Sequence, residues 1–566
     1  MASSKIFLIT VLVTALGAMI AALTAVPSEA NHEILITAFS LLGACAGVLV
    51  LAVPLDQISL LKLLAGRFWV ATALFCATLL ALVSYFAGMR QIGGFDHSVL
   101  IDVAWRMYSG QHPYVDFPLT LPFVHYMGGY YAFLLFGPQW KALVIFNALI
   151  GFLTFLWLVF LCRRLFIDSV VSLVLPMFCQ AVTTTLTGYW WYNSTTSIVS
   201  VVFLFSAVAW YRGPKSPIIT ASLLLSAVIL LGAKPNVGAP LLIGCFVSLL
   251  LSSEHRVRAA VIAIASLGVA MALASLHGIQ FTDMVASYWS VSSRGMSSSQ
   301  FLQDLGPVER ISSLLCLAYV VAHCVHAARG GFSDNPVPGA MALCGVFAGL
   351  IGFVTNGEIK FVDLPLILCG AILFVCRGGG ITSGSSSPST PAVDRIRGLV
   401  VLAAVLVFIG VGLGVSRQRV KAIGYGAFFQ YAPLQQVPAN EFFDGVSASP
   451  RLISAVAEIR SALGDVGARP GKVFFGPRMQ WAYAAFGLQS PRGEPVWWHP
   501  GVSFPSDDES FFVEKWADAN HDLLIFLKND ATYLSPQFLQ VLSQRYDIDD
   551  SFPTLTICRL RTNPQN

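Results

Sequence analysis

The chain has 566 residues, of which 11% are charged and 56% are hydrophobic, and its mean hydropathy is +0.71. Soluble globular domains carry about 25% charged residues, so this composition excludes that class and predicts a polytopic α-helical membrane protein. The net charge of +4 and the lack of any run of Lys or Arg argue against nucleic acid as a partner. The sequence contains no P-loop, HExxH or CxxC motif.

About thirteen apolar runs are candidate membrane spans, since a spanning helix needs about 20 mostly apolar residues. They lie at 6–26, 33–54, 67–88, 141–161, 167–186, 195–211, 217–233, 237–251, 257–276, 309–328, 337–354, 361–376 and 398–416. The first run could instead be a signal peptide cleaved at Ala30, but its length favours an uncleaved anchor. Residues 1–416 are therefore predicted to form a transmembrane module.

The basic residues of the connections set the predicted orientation, because Lys and Arg concentrate on the cytoplasmic side. With residues 88–140 placed outside, every inside connection is basic, including the one that carries Arg163 and Arg164, and the N-terminus is cytoplasmic. This pattern holds only if residues 119–136 do not cross the membrane, so they are predicted to form a helix in the outer interface. The predicted location is a bacterial inner membrane.

The last third of the chain changes in composition. Residues 378–396 are rich in Gly, Ser and Pro and predict a flexible cytoplasmic linker. Residues 417–566 are polar enough to fold in water and predict a soluble α/β domain on the outer, periplasmic side. Its predicted strands are 472–476, 521–527 and 554–560, and its predicted helices are 449–464 and 535–545.

The outer connection at residues 93–122 is the most informative part of the chain, because it places three aspartates between apolar segments. Asp96 precedes an apolar-periodic run that a glycine ends, which predicts a short helix beginning near Asp96. Asp96 can cap this helix, act in function, or do both. Asp102 and Arg106 are spaced to pair on one helix face, and Asp116 lies in an extended segment between prolines.

The order of these features resembles the GT-C superfamily of polytopic glycosyltransferases, which includes protein O-mannosyltransferases, the lipid A aminoarabinose transferase and mycobacterial mannosyl- and arabinofuranosyltransferases. Over about the first two hundred residues, the matching positions are Asp96, Gly110, Pro113, Tyr114, Asp116, Phe117, Pro122 and residues 163–166. The resemblance implies that Asp96 is the catalytic aspartate and Asp116 a second active-site acid. Many members have an acidic pair at the first position, whereas His97 follows Asp96 here. The three acids and His97 can hold a divalent cation or none, so no cofactor is firmly predicted.

The resemblance also implies a polyprenyl-phosphate-linked sugar donor, whose leaving phosphate needs cationic partners. The candidates for that role are Lys234, Arg294 and Lys360. They can equally be a snorkelling lysine, part of a solvated connection and a member of a local salt bridge, respectively. The candidates for binding substrate are His97, Tyr114, Glu358, Trp190 and Trp191. The two tryptophans are also typical of an interfacial aromatic belt.

The predicted function is transfer of a sugar from the lipid-phosphate donor to a hydroxyl of a glycan, lipid or protein on the outer face of the membrane. An aspartate would act as general base, and the family implies inversion at the anomeric carbon. Two alternatives stay open. A transporter or flippase would need polar or broken helices near the bilayer midplane, which are few here. A non-enzymatic envelope scaffold would leave the carboxylate-rich connection without an explanation.

Overall fold

A computed structural model describes most of the chain between residues 69 and 561. The described residues are 69–90, 95–119, 124–165, 171–185, 187–213, 216–252, 255–291, 337–355, 360–375, 435–438, 440–466, 472–498, 503–504, 506–528 and 534–561. The predicted spans at 6–26, 33–54, 309–328 and 398–416 and the linker at 378–396 lie outside these residues.

Twelve α-helices precede the C-terminal segment in the described part of the chain, and nine predicted spans coincide with helices among them. The helices are α1 (Trp69–Gly88), α2 (Phe95–Tyr108), α3 (Val124–Phe136), α4 (Trp140–Leu165), α5 (Val171–Gln180), α6 (Tyr192–Arg212), α7 (Pro217–Leu231), α8 (Pro235–Leu251), α9 (Arg256–Leu276), α10 (Phe281–Val291), α11 (Val337–Thr355) and α12 (Leu364–Val375). A π-helical turn, Ala181–Thr185, extends α5, and a 3₁₀ turn, Lys360–Asp363, precedes α12.

Four of the described helices, α1, α4, α6 and α9, are long and apolar enough to cross a membrane, and five shorter segments are also apolar. Helix α3 has 13 residues. At about 1.5 Å per residue it extends about 20 Å, which is short of the roughly 30 Å hydrocarbon core. Helix α3 alone is therefore too short to span, and the interfacial position of residues 119–136 stays a prediction.

Helix α6 is the centre of the apolar bundle. All of its residues from Asn193 to Trp210 are buried, and many are small and polar, including Ser197, Ser200 and Ser206. In a membrane no hydrophobic effect drives helices together, so their association depends on close packing. Small side chains allow this, because they let neighbouring helix backbones approach closely. The first turns of α6 therefore occupy a fixed position among α7, α8 and α12.

Contacts between neighbouring elements show which helix ends lie together at each end of the bundle. At one end of the bundle, the Arg163 guanidinium lies 4.6 Å from the centre of the Trp69 ring, and Arg212 donates a hydrogen bond to the last turn of α4. At the other end, the N–H of Val124 donates to the carbonyl of Gly232 at 3.2 Å. These groups correspond to the cytoplasmic and outer connections of the predicted topology.

The C-terminal segment, residues 435–561, combines short helices with a mixed sheet. Its helices are α13 (Pro450–Val466), α14 (Trp481–Ala485), α15 (Glu509–Asp518) and α16 (Pro536–Arg545), and its strands are β1 (Gln435–Gln436), β2 (Ser447–Ala448), β3 (Val473–Phe475), β4 (Leu523–Leu527), β5 (Tyr546–Asp549) and β6 (Leu555–Leu560). The main sheet has the order β3-β4-β6-β5, with β3 parallel to β4 and the other pairs antiparallel. All five residues of β4 are buried, as a central strand requires.

The C-terminal segment packs against the predicted outer connection. The N–H of Ser447 donates to the carbonyl of Met89 at 3.0 Å, directly after α1. One continuous hydrophobic cluster includes Leu100 and Val103 of α2 together with Phe443 and Ile525 of the C-terminal segment. The predicted outer connection and the C-terminal segment therefore share a core and lie on the same side of the bundle.

Candidate functional site

The first turn of α2 brings the predicted catalytic position to the outer end of the bundle. Asp96 is the second residue of this helix, as predicted, although its side chain lies outside the described part. The next side chain, His97, is buried, and its ring centre lies 4.0 Å from that of Tyr189 and 6.0 Å from that of Trp191. The start of α2 is thus held against the aromatic residues that precede α6.

The aromatic residues that precede α6 are connected to Lys234 through the Tyr192 ring. The ring centres of Trp191 and Tyr192 are 5.5 Å apart, and the Lys234 ammonium lies 5.7 Å from the centre of the Tyr192 ring. We call His97, Tyr189, Trp191, Tyr192 and Lys234 the aromatic row. The row joins His97, Trp191 and Lys234, three positions predicted from the sequence. Tyr192 lies between Trp191 and Lys234, and Tyr189 contacts His97.

Lys234 lies at the N-terminus of α8 and is half-buried. Its ammonium donates a hydrogen bond to Asn193 Oδ1 at 3.1 Å. The N-terminus of a helix carries partial positive charge, so a lysine at this position adds to that charge and leaves the site favourable for an anion. This end of the aromatic row is therefore suited to a phosphate group.

His125 lies beside the aromatic row and was not singled out in the sequence. Its ring centre is 5.8 Å from that of Tyr192, and its Nε2 lies 3.4 Å from the Thr196 hydroxyl. Burial, followed by the nearby Lys234 ammonium, lowers the pKa of His125 to about 3. The imidazole is therefore neutral at physiological pH.

Trp190 points away from the aromatic row. Its Nε1 donates to the carbonyl of His125 at 2.7 Å, and its ring lies 5.0 Å from that of Phe146. These contacts hold α3 against α4 and explain why the indole is buried. A direct role for Trp190 in binding substrate stays a prediction.

The turn that contains Lys360 also reaches this end of α6. The hydroxyl of Ser197, one helical turn beyond Asn193, donates to the carbonyl of Val362. The backbone of Lys360 is described and its side chain is not, whereas Arg294 and Glu358 lie outside the described residues. The roles of all three in binding the donor stay predictions.

Asp116 lies in a compact turn, and the expectation of an extended segment is wrong. The Asp116 carboxylate accepts a hydrogen bond from the N–H of His112 at 2.8 Å, and Tyr114 adopts a φ of +65°. An aspartate side chain that bonds to a nearby backbone N–H closes a turn of this kind. The carboxylate also lies 3.6 Å from the guanidinium of Arg492. Asp116 and Tyr114 thus lie where the outer connection meets the C-terminal segment.

The predicted pair of Asp102 and Arg106 is present and fully buried. Arg106 Nε donates to Asp102 Oδ2 at 2.9 Å, and the two side chains are 0% and 2% exposed. The Ser490 hydroxyl donates to the other carboxylate oxygen at 2.6 Å. Both oxygens of Asp102 are therefore engaged by protein donors.

The described side chains include no group of three or more His, Cys, Asp or Glu residues that could hold a metal ion. Asp102 and Asp116 both face basic side chains, so they do not form a cation site with each other. The arrangement described fits an anion better than a cation, because a lysine and the N-terminus of α8 face the aromatic row.

No family model and no curated protein matches the sequence. The structure is similar to two crystal structures of ArnT from Cupriavidus metallidurans, one bound to undecaprenyl phosphate and one in the apo state. The sequence identities are 14% and 13%, and the TM-scores are 0.49 and 0.48. The similarity covers 88% and 87% of this chain and 99% and 98% of those chains. A likeness of this extent assigns no role to any residue of this chain.

Proposed function

We propose that the chain is an integral-membrane glycosyltransferase of the GT-C type. It would transfer a sugar from a polyprenyl-phosphate donor to a hydroxyl acceptor of a glycan, lipid or protein, at the outer face of a bacterial inner membrane. Residues 1–416 would form the catalytic membrane module, and residues 417–566 would form the periplasmic α/β domain. Two observations support the proposal: the resemblance of residues 93–122 to the GT-C superfamily, and the aromatic row that lies beside the start of α2.

The observation that carries the proposal is the aromatic row. It connects the start of α2, where Asp96 is located, with the half-buried Lys234 at the N-terminus of α8. A glycosyl transfer from a lipid phosphate needs a carboxylate near the acceptor hydroxyl and a cation near the leaving phosphate. The half-buried rings of Tyr189 and Tyr192 between them can stack on the apolar face of a sugar.

In the proposed reaction the Asp96 carboxylate accepts the proton of the acceptor hydroxyl as its oxygen attacks the anomeric carbon. The bond between that carbon and the phosphate oxygen breaks, and the phosphate leaves with the bonding electrons. Lys234 stabilises the negative charge on the leaving phosphate. Attack from the face opposite the leaving group inverts the anomeric carbon. A second acid at Asp116 is part of the same proposal.

Donor binding tests the cationic end of the site. Lys234→Ala should weaken the binding of undecaprenyl phosphate by about 10- to 100-fold, since a hydrogen bond to a charged group contributes about 1.5–3 kcal/mol. Binding can be measured with the purified protein in nanodiscs. Lys141→Ala is the matched control, because Lys141 lies in the first turn of α4 and is not part of the aromatic row. Equal affinities for the two variants would exclude Lys234 as the phosphate ligand.

Transfer itself tests the base. Asp96→Asn should lower turnover with a panel of polyprenyl-phosphate hexoses and pentoses by about 10²–10⁴-fold, while donor affinity is retained. Asp444→Ala, at an exposed position in the C-terminal segment, should turn over like the wild type. Wild-type turnover in Asp96→Asn would refute the assignment. Movement of labelled lipid across proteoliposomes without any sugar transfer would favour a transporter instead.

A further inference from the structure

Residues 480–493 of the C-terminal segment run along α2 and the turn that follows it. Seven hydrogen bonds among the described residues cross between residues 98–116 and this strip. They join Ser98 to Gln480 and Trp481, Asp102 to Ser490, Trp105 to Leu488, Arg106 to Pro491, Gln111 to Ser490, and Asp116 to Gly493. The C-terminal segment therefore binds the element that carries the proposed base from Ser98 to its last turn and on into the turn that follows.

The contact nearest to the proposed base is the one made by Ser98. Its hydroxyl donates to Gln480 Oε1 at 2.9 Å and accepts from the N–H of Trp481 at 3.1 Å. Ser98 and Gln480 are 3% and 5% exposed, so neither exchanges its partner readily with water. Ser98 is two residues from Asp96 and one from His97, within the first turn of α2.

The first turn of α2 is thus held from two sides. Tyr189 and Trp191 contact His97 from the membrane module, and Gln480 contacts Ser98 from the C-terminal segment. A helix terminus frays unless its first residues have partners. The two sets of contacts fix the direction in which the side chains of this turn leave the backbone.

We infer that Gln480 is a positioning residue for the transfer reaction. It acts through Ser98 to hold the first turn of α2, which carries Asp96, next to the aromatic row. This inference rests on the proposed function. Gln480 contacts Ser98, and the structure gives it no contact with Lys234, so it should influence the chemical step and not the binding of the donor phosphate.

The size of the effect follows from the geometry that proton transfer needs. A catalytic group must be held within about 0.5 Å of its productive position, and a misplacement of about 1 Å can lower the rate about 100-fold. Gln480→Ala removes the acceptor of the Ser98 hydroxyl and leaves the rest of the strip in place. It should lower kcat by about 10- to 100-fold and leave the KM for the donor within about two-fold of the wild-type value.

Three further variants make the test specific. Ser98→Ala should lower kcat at least as much, because it removes the hydrogen bond to Gln480 and also the acceptor of the Trp481 N–H. The double variant should be no worse than Ser98→Ala, because the bond between Ser98 and Gln480 is lost in both single variants. Gln537→Ala is the matched control. Gln537 also accepts a hydrogen bond from a serine, Ser510, in the same C-terminal segment, but this pair is exposed and lies on α15 and α16. It should leave kcat and KM unchanged.

Hydrogen–deuterium exchange of the full chain in nanodiscs supplies a measure that needs no activity. Gln480→Ala should speed amide exchange in the second turn of α2, residues 99–102, whose N–H groups bond to the carbonyls of the first turn, and leave exchange in β4 unchanged. Unchanged exchange in that turn, or faster exchange with unchanged kcat, overturns the inference. A wild-type chain that transfers no sugar refutes the proposed function instead, and the exchange result alone then decides whether Gln480 holds the turn.

Discussion

Asp102→Ala should strongly destabilise the unit formed by α2 and the C-terminal segment. The substitution removes the acceptor of two hydrogen bonds, from Arg106 Nε at 2.9 Å and from the Ser490 hydroxyl at 2.6 Å. It also leaves the Arg106 guanidinium, which is only 2% exposed, without its carboxylate. Breaking a buried ion pair from one side costs about 3–5 kcal/mol, most of it from the uncompensated charge.

The chain contains a control with nearly the same bond length. Arg561 Nε lies 2.8 Å from Asp547 Oδ1, but these side chains are 39% and 75% exposed. Exposed pairs contribute about 0–1 kcal/mol because water and salt screen them. Asp547→Ala should therefore change the unfolding free energy little. Because the two pairs have similar bond lengths, the difference between the two variants measures the effect of burial.

The buried thiol of Cys558 in β6 reports the opening of the C-terminal segment. Alkylation by a membrane-impermeant maleimide under native conditions, followed by mass spectrometry of the peptide that contains Cys558, gives the rate. A loss of about 3–5 kcal/mol corresponds to alkylation about 100- to 4,000-fold faster in Asp102→Ala than in the wild type. If Asp102→Ala and Asp547→Ala are alkylated at equal rates, the buried pair does not hold α2 to the C-terminal segment.

Three other substitutions probe separate parts of the structure. Glu458→Ala should lower the unfolding free energy in urea by about 2–4 kcal/mol, since the carboxylate accepts two backbone N–H bonds at the start of β6, at 3.1 and 3.0 Å. The pKa of His125 falls from 6.5 to about 3 on folding. The unfolded chain therefore binds the proton first, and stability should fall by up to about 1.4 kcal/mol per pH unit as the pH drops from 6.5 toward 3. His125→Gln should show a flatter profile in thermal melts between pH 7 and pH 4. In Gly88→Ala the added methyl group would clash with the backbone carbonyl of Gly188. It should lower the melting temperature, whereas Gly268→Ala, which has open space, should not.

Local sequence patterns were sufficient to predict most elements of the fold. Long apolar runs predicted α1 and α4, and the apolar run at 521–527 predicted the buried strand found as β4, because burial depends on the composition of the run itself. The spacing of Asp102 and Arg106 predicted their pair for the same reason, since residues four apart share a helix face.

The assembly of the candidate site depends on contacts that no local pattern encodes. The hydrogen bond between Ser98 and Gln480 joins residues separated by 382 positions. Neither side chain has a feature of its own that identifies it as part of a site. His125 lies in an apolar helix, where a single histidine is more often a packing residue, and no local pattern predicts its position beside Lys234 and Tyr192.

The shared core of α2 and the C-terminal segment also has a consequence for biosynthesis. A ribosome adds about 5–20 residues per second. The 382 positions that separate Ser98 from Gln480 therefore take about 20–80 seconds to translate. During that time the apolar side of α2 has already left the ribosome and its partner does not yet exist. The apolar side of α2 is therefore exposed to aggregation in the nascent chain until the C-terminal segment has been synthesised and packs against it.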